Sequence, residues 1–472
     1  MRYAVVWWAG FTLLLAPIVV PSASVLMASD CDSHDFGKKP ELAPDYSAMI
    51  GFLVERLRTE TFVMLPADGR VQQPESRSKG LPAEYRPPTS EEEERMRAVW
   101  PKVAPENNAA YYYVKAMKAL ADSDCAPAGA GIAYYRKPYE GDVAALGKWA
   151  EVNQQAVDSA REGLKQTVYC PPMCVIADGS GCCVPPSFFS GVRQLGNAWT
   201  DAGFVEELKG NSDLAARTYL ECIRFGKTFL NSGLAEALLG KSIQVMGWDM
   251  LDRLLASATL RDETLLEVIK ECRGAEITQA NLENDYMAVS EYAKALIALT
   301  KASLRDDSQF ALVFGRAKAL KEIVTQKSLN ELLQNRVLDT LYAGELKQFA
   351  DQKAETQAFF REWGHMLVYL RVTQIRAGLI LYQRQHGTAL PDTLDTLCPV
   401  ILPSVPMDPF SGAPMRYEKK GSGWKIWSVG EDNVDNGGQG QRGIPIWNEP
   451  DAVFFSDIRS NVEVRSKGKV KP

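Results

Sequence analysis

The sequence predicts a mainly α-helical protein that ends in a small α+β module. Apolar residues recur with a helical period from residue 141 to about residue 360, apart from one cysteine-rich loop. Near residue 361 the pattern changes, and beyond a helix that reaches about residue 385, short alternating runs separated by Gly-rich turns are typical of strands. A chain of 472 residues is long enough for two or three such units.

The N-terminus has the layout of an export signal. Arg2 precedes an apolar run of 18 residues that ends at Val20, and cleavage is expected near Ser24 or Ala28. We therefore assign residues 1–24 to a signal peptide, and the alternative is an uncleaved membrane anchor. The sequence thus predicts a periplasmic or extracellular protein, in contact with the membrane only if this segment remains.

The charge balance argues against a nucleic-acid partner. The net charge is −6, and phosphate binding needs a concentrated basic face. The basic residues of the tail, residues 459–472, are more simply read as a solvated chain end. Between residues 30 and 105 the chain is rich in Pro and polar residues, which predicts an extended connector with short helices, one of them starting at Ser90.

Nine cysteines in an exported chain favour disulfide bonds. Four of them lie in the loop at residues 170–183: Cys170, Cys174, Cys182 and Cys183. A zinc site is the alternative, but two adjacent cysteines do not easily turn towards one tetrahedral centre. The pairing of the cysteines does not follow from the sequence.

Residues 106–358 are predicted to form an all-helical domain. One helix is expected from about Asn107 to Ala121. Further along, five residues have the spacing of a tetratricopeptide helix pair: Trp199, Gly203, Gly210, Ala215 and Tyr219. No second copy follows at the repeat distance, so a hairpin within a larger bundle is expected.

Residues 359–458 are predicted to form the α+β module. A helix is expected from about Trp363 to Gln385, ended by Gly387, with a short second helix after Pro391. The runs "MRYEKK", "WKIWSVG" and "AVFF" predict three strands.

The stretch "WSVGEDNVDNGG" follows the second predicted strand and has the chemistry of a calcium loop. Asp432, Asn433, Asp435 and Asn436 offer hard oxygen ligands, and the glycines let backbone carbonyls join them. The spacing is not that of an EF-hand. An ordinary Asx-rich turn is the alternative, because these side chains also bond their own backbone.

Three stretches together resemble the globular domain of type II secretion pseudopilins: "YQRQHGTALPDTLDTL", "PMDPFSGAPMRY" and "WKIWSVGEDNVDNGG". They cover roughly a quarter of the chain. The resemblance implies a hairpin after Asp408, a calcium site at Asp432, and further ligands among Asp435, Asp451 and Asn433, which stands where the family has glycine. The prepilin cleavage pattern is not matched, so membership of a filament is not expected.

The whole chain resembles exported bacterial proteins of uncharacterised function, in which helices precede such a module. His34, His365 and His386 show no ligand spacing, and no nucleophile elbow or phosphate loop is present. We therefore expect a non-enzymatic scaffold with protein or cell-envelope partners. The alternative is a hydrolase with a carboxylate site between the helical domain and the module.

Overall fold

The computed structural model describes residues 103–127, 129–131, 141–172, 174–176, 182–230, 234–274, 353–440 and 450–456, with a few isolated positions and three short strands before residue 90. This part is mainly helical, as the sequence predicts, and carries small antiparallel sheets. The predicted signal peptide, the predicted helix after Ser90 and the basic tail lie outside the described residues.

Seven α-helices are described, and consecutive helices pack against each other from the first to the fifth. Their bounds are α1 Ala109–Ala119, α2 Val143–Leu164, α3 Pro186–Leu208, α4 Ser212–Lys227, α5 Leu234–Ser257, α6 Asp262–Gly274 and α7 Lys353–Gln385. Helix α7 packs across both α5 and α6. We call α1 to α6 the helical layer.

The strands form three antiparallel sheets. A two-stranded sheet pairs β1 Thr61–Val63 with β2 Arg77–Lys79, and a second sheet contains β3 Tyr85–Arg86, β4 Cys174–Ile176 and β5 Cys182–Cys183. The third sheet has the order β6 Arg416–Lys420, β7 Gly423–Ser428 and β8 Ala452–Phe455, at the three positions where the sequence predicts strands. We call residues 386–456 the C-terminal module.

Local sequence signals explain several helix ends. The Asn108 side chain accepts a hydrogen bond from the Ala110 amide at 3.1 Å, which caps α1. Helix α7 ends where Gly387 and Thr388 have φ angles of 61° and 74°. It begins at Lys353, ten residues before the predicted start at Trp363, because the preceding Ala, Glu and Gln residues also favour a helix.

Helices α3 and α4 form the hairpin that the sequence predicts. Gly210, at a φ of 82°, lies in the turn between them. A Cβ atom on Gly203 would collide with the ring of Tyr219, so the small residue allows the two helices to approach closely. The assignment to a tetratricopeptide unit remains a prediction.

Two apolar clusters hold these elements together. The first lies under α1 to α5 and is rich in aromatic rings, such as Tyr113 and Trp199, which lie 4.8 Å and 4.9 Å from Phe225. The second extends from α4, α5 and α6 through α7 to the sheet of the C-terminal module, where Ile426 and Phe454 belong to it. Helical layer and module therefore share one core. The predicted boundary between residues 358 and 359 falls inside α7.

Candidate functional site

The acidic loop lies at one edge of the C-terminal sheet. The register pairs Arg416 with Trp427 and Trp427 with Val453, so the start of β6, the end of β7 and the start of β8 meet there. The loop between β7 and β8 therefore lies next to the turn that precedes β6. All four residues predicted to bind calcium are in this region.

Asp408 lies at the centre of this edge and is fully buried. Its carboxylate accepts five hydrogen bonds, from the amides of Phe410 (3.1 Å) and Val429 (3.0 Å), the hydroxyls of Ser411 (3.0 Å) and Ser428 (2.7 Å), and the guanidinium of Arg416 (3.0 Å). These bonds compensate for the loss of water around a buried charge. They also attach the turn before β6 to the end of β7.

Arg416 bridges two carboxylates. Its Nη1 donates to Asp408, and its Nε donates to Asp435 at 2.5 Å. The other oxygen of Asp435 accepts from the Trp427 indole at 3.1 Å and from the Gly437 amide at 3.0 Å. Burial acts to raise the pKa of Asp435, but these hydrogen bonds and the Arg416 charge outweigh it and lower the pKa.

Asp451, at the start of β8, is also fully buried. Its two oxygens accept hydrogen bonds from three successive parts of the loop, the amides of Asn436 (3.2 Å), Gly438 (2.8 Å) and Gln439 (3.1 Å). A carboxylate with this many amide donors fixes the path of the backbone. Asp451 therefore shapes the second half of the acidic loop.

Asp432 and Asn433 lie at the tip of the loop. Asp432 accepts a hydrogen bond from the Val434 amide at 2.9 Å, which is an Asx turn. Asn433 has a φ of 59°, in the left-handed region that glycine adopts without strain. Asparagine tolerates this region better than most other residues, so it can replace glycine here. The Oδ1 atom of Asn433 is buried without a hydrogen-bond partner.

The donor set at this edge does not fit calcium well. Calcium takes six to eight oxygen ligands, yet both oxygens of Asp435 and of Asp451 already accept hydrogen bonds from the protein. The carbonyl of Gly437 accepts from the ammonium of Lys425 at 2.9 Å. Within the described ranges, no group of three or more His, Cys, Asp or Glu side chains is placed to hold a metal ion. Calcium binding stays a prediction.

A second contact joins the loop to α7. His365 Nε2 lies 2.8 Å from Glu431, and its ring stacks on Trp447 with the centroids 3.7 Å apart. Burial acts to raise the pKa of Glu431, but the bond to His365 and the charge of Arg361 outweigh it and lower the pKa. His365 and Glu431 are 66 positions apart, and no local pattern in the sequence connects them.

The sequence also gave no signal for the ion pair between the helical layer and the module. Arg376, on α7, donates to Asp252, on α5, at 2.5 Å and 3.1 Å, and both side chains are at most 9% exposed. The same guanidinium donates to the Phe455 carbonyl at 3.0 Å and lies 4.6 Å from the centroid of the Trp424 ring. One side chain thus contacts α5, β7 and β8.

The alternative hydrolase would have its carboxylate site at this junction, where the described residues form the shared apolar core and the Asp252–Arg376 pair. An open groove of about 640 Å³ lies elsewhere, between α1 and α2. Of its carboxylates, Asp158 pairs with Arg161 at 2.7 Å and Glu162 with Lys165 at 2.6 Å. This arrangement is typical of a solvated helix surface.

Glu236, in the first turn of α5, is a buried acid of the helical layer with a raised pKa. Burial raises its pKa to about 7, and a hydrogen bond from its own backbone amide acts in the opposite direction. A raised pKa indicates an active site only when partner groups converge with it. Among the described residues, no hydrogen-bond partner is found for the Oε1 atom of Glu236.

The six cysteines with described side chains form no disulfide with one another. Within the described ranges, no helix combines the length and the apolar character that crossing a membrane requires.

No family model matches the chain, and no match was found among curated proteins or solved structures.

Proposed function

We propose that the protein is an exported, non-enzymatic scaffold that binds protein or cell-envelope partners. The observation that carries this proposal is the junction between helical layer and module. An apolar core and the buried Asp252–Arg376 pair occupy it, where a hydrolase would need an open polar cleft. The junction therefore favours a rigid body that acts through its surface.

The edge formed by α4 and α6 is the surface best suited to a partner. The pairs Asp213–Arg261 (2.9 Å) and Arg217–Glu267 (3.2 Å) join these helices along their length. Next to these charged residues in the sequence, Leu214 is 49% exposed and Leu266 is 54% exposed. Large apolar side chains beside charged pairs resemble the core and rim of a protein interface.

The proposal can be tested by in-cell crosslinking of a tagged full-length protein in its native host. We expect the mature N-terminus near residue 24 in the exported fraction, and at least one crosslinked partner. The double variant Leu214→Glu/Leu266→Glu should lose this partner, because charges disrupt an apolar contact.

The matched control is Val400→Glu, since Val400 is 85% exposed and lies in the C-terminal module, on a different part of the chain. The control should retain the partner. Identical crosslinks in both variants would remove the α4–α6 edge as the binding surface. An uncleaved chain in the cytoplasmic fraction would contradict export.

If the protein is exported, we expect a disulfide in the cysteine-rich loop. The register of β4 and β5 pairs Cys174 with Cys183 and Val175 with Cys182. Paired residues on antiparallel strands have Cα atoms about 4.5–5.5 Å apart, inside the range of about 4.4–6.8 Å that a disulfide bridges. We expect Cys174 and Cys183 to form a disulfide by exchange with an oxidising disulfide, which is reduced to two thiols. Peptide mapping without reductant tests this pairing.

A further inference from the structure

Two positive charges, Arg416 on β6 and Lys425 on β7, lie against the loop for which the pseudopilin resemblance implies calcium. Asp408, Asp432, Asp435 and Asp451 all lie at one edge of the sheet, and two of them are fully buried. Such a concentration of negative charge needs a compensating cation. We propose that Arg416, assisted by Lys425, is that cation, so that the loop folds without calcium.

The Arg416 guanidinium lies between two carboxylates of this edge. Arg416 donates through Nη1 to buried Asp408 and through Nε to Asp435, so it bridges the turn before β6 and the loop after β7. Of the ligands that the resemblance implies for calcium, Asp435 is therefore already paired with a protein cation. Arginine presents several donors in a fixed plane and stays charged at all ordinary pH values.

Lys425 lies against the second half of the loop. Its ammonium donates to the Gly437 carbonyl at 2.9 Å and pairs with Glu418 at 2.7 Å. A Cβ atom on Gly438 would lie 2.9 Å from this ammonium, which shows how closely the loop backbone packs on it. A carbonyl that calcium could use is thus bonded to a protein cation.

The carboxylate oxygens of Asp435 and Asp451 already have donors from the protein. Asp451 uses both oxygens on backbone amides, and Asp435 uses both on Arg416, Trp427 and Gly437. Calcium needs six to eight oxygens and would also be repelled by the two nearby positive charges. The Oδ1 atom of Asn433 is buried without a hydrogen-bond partner and Asp432 lies at the loop tip, and these two residues fall short of the six to eight oxygens that calcium takes. This inference does not depend on the proposed scaffold function.

The test is thermal unfolding of the full-length protein, monitored by tryptophan fluorescence, with calcium, magnesium or chelator. The cations are used at about 5 mM, above the weakest extracellular-type dissociation constant of about 10⁻³ M. We expect the three midpoints of the unchanged protein to agree within about 1 °C, because a ligand that does not bind cannot stabilise.

Two variants separate the role of charge from a general loss of packing. Arg416→Gln should lower the midpoint by about 3 °C or more, while Lys420→Gln, on the same strand, should leave it within about 1 °C. Adding Asp435→Asn to Arg416→Gln should cost less than the sum of the single changes, because the two groups act on each other.

A midpoint of the unchanged protein that rises with calcium but not with magnesium would overturn the inference. So would calorimetric calcium binding with a dissociation constant below about 10⁻³ M. An unchanged midpoint in Arg416→Gln would also contradict it. If this variant does not fold, the calcium titration of the unchanged protein decides the question by itself.

Discussion

The helical layer and the C-terminal module bury carboxylates in opposite ways. In the helical layer, Glu236 is fully buried, its Oε1 atom has no hydrogen-bond partner, and its pKa is raised to about 7 by burial. In the module, Asp408 and Asp451 are also fully buried, but they accept five and three hydrogen bonds. A buried carboxylate therefore destabilises the helical layer, whereas in the module it holds separate segments together.

This difference shows that the number of donors decides the effect of a buried acid. A carboxylate with few donors loses its hydration and gains little, so it destabilises the ionised protein. A carboxylate with amide, hydroxyl and guanidinium donors holds separate segments in a fixed arrangement. Loop segments with few apolar side chains need such connectors, whereas helices are held mainly by apolar packing.

The largest expected effect is at Asp408. Replacing Asp408 with Asn keeps the size of the side chain, but removes the charge that Arg416 and the other donors require. We expect the free energy of unfolding to fall by about 3–5 kcal/mol, as for other broken buried pairs. Urea unfolding measures this change. Asp392→Asn is the control, because the Asp392 side chain is 92% exposed and its loss should cost less than about 1 kcal/mol.

The opposite sign is expected at Glu236. Its folded pKa of about 7 lies above the ordinary value of 4.5, so the unfolded state releases its proton first and stability falls as pH rises from about 4.5 to about 7. Glu236→Gln should therefore stabilise the protein by about 3 kcal/mol at pH 8, and by less than about 1 kcal/mol at pH 5. Urea unfolding at both pH values checks this, and an equal effect at the two pH values would contradict the burial of an ionisable acid.

A smaller effect is expected where α4 crosses α5. A Cβ atom on Gly226 would lie 2.5 Å from the Gly240 carbonyl, so Gly226→Ala should separate the helices and cost about 1–3 kcal/mol. Gly147, on α2, has nothing within 4 Å of its Cβ position. Gly147→Ala should instead stabilise by about 0.5–1 kcal/mol, because alanine favours a helix. Thermal unfolding of both variants measures the contrast, and equal losses would contradict the close crossing.

Local patterns predicted much of the fold. Helical periodicity predicted the helices from residue 141 onwards, and the cap at Asn108, the turn at Gly210 and the end at Gly387 follow from their residue types. The strands after residue 415 also follow from alternation. These features depend on neighbours within a few positions, which a sequence displays directly.

The contacts of the candidate site could not be predicted in the same way. The acidic loop was found by composition, but the sequence did not show that Arg416 lies between Asp408 and Asp435, a placement that depends on strand register. The pair Asp252–Arg376 joins residues 124 positions apart. The predicted start of α7, at Trp363, is ten residues too late. The apolar pattern changes near that position, and such a change resembles a helix boundary.

The central claim is that α7 makes the helical layer and the C-terminal module one cooperative unit. The most direct test is native-state hydrogen exchange of Arg376→Met, which leaves Asp252 buried without its partner. We predict that peptides from α5 and from β8 lose protection together, each by about 3–5 kcal/mol. If the β8 peptides lost protection while α5 kept it, the two regions would be separate units and the account would be wrong.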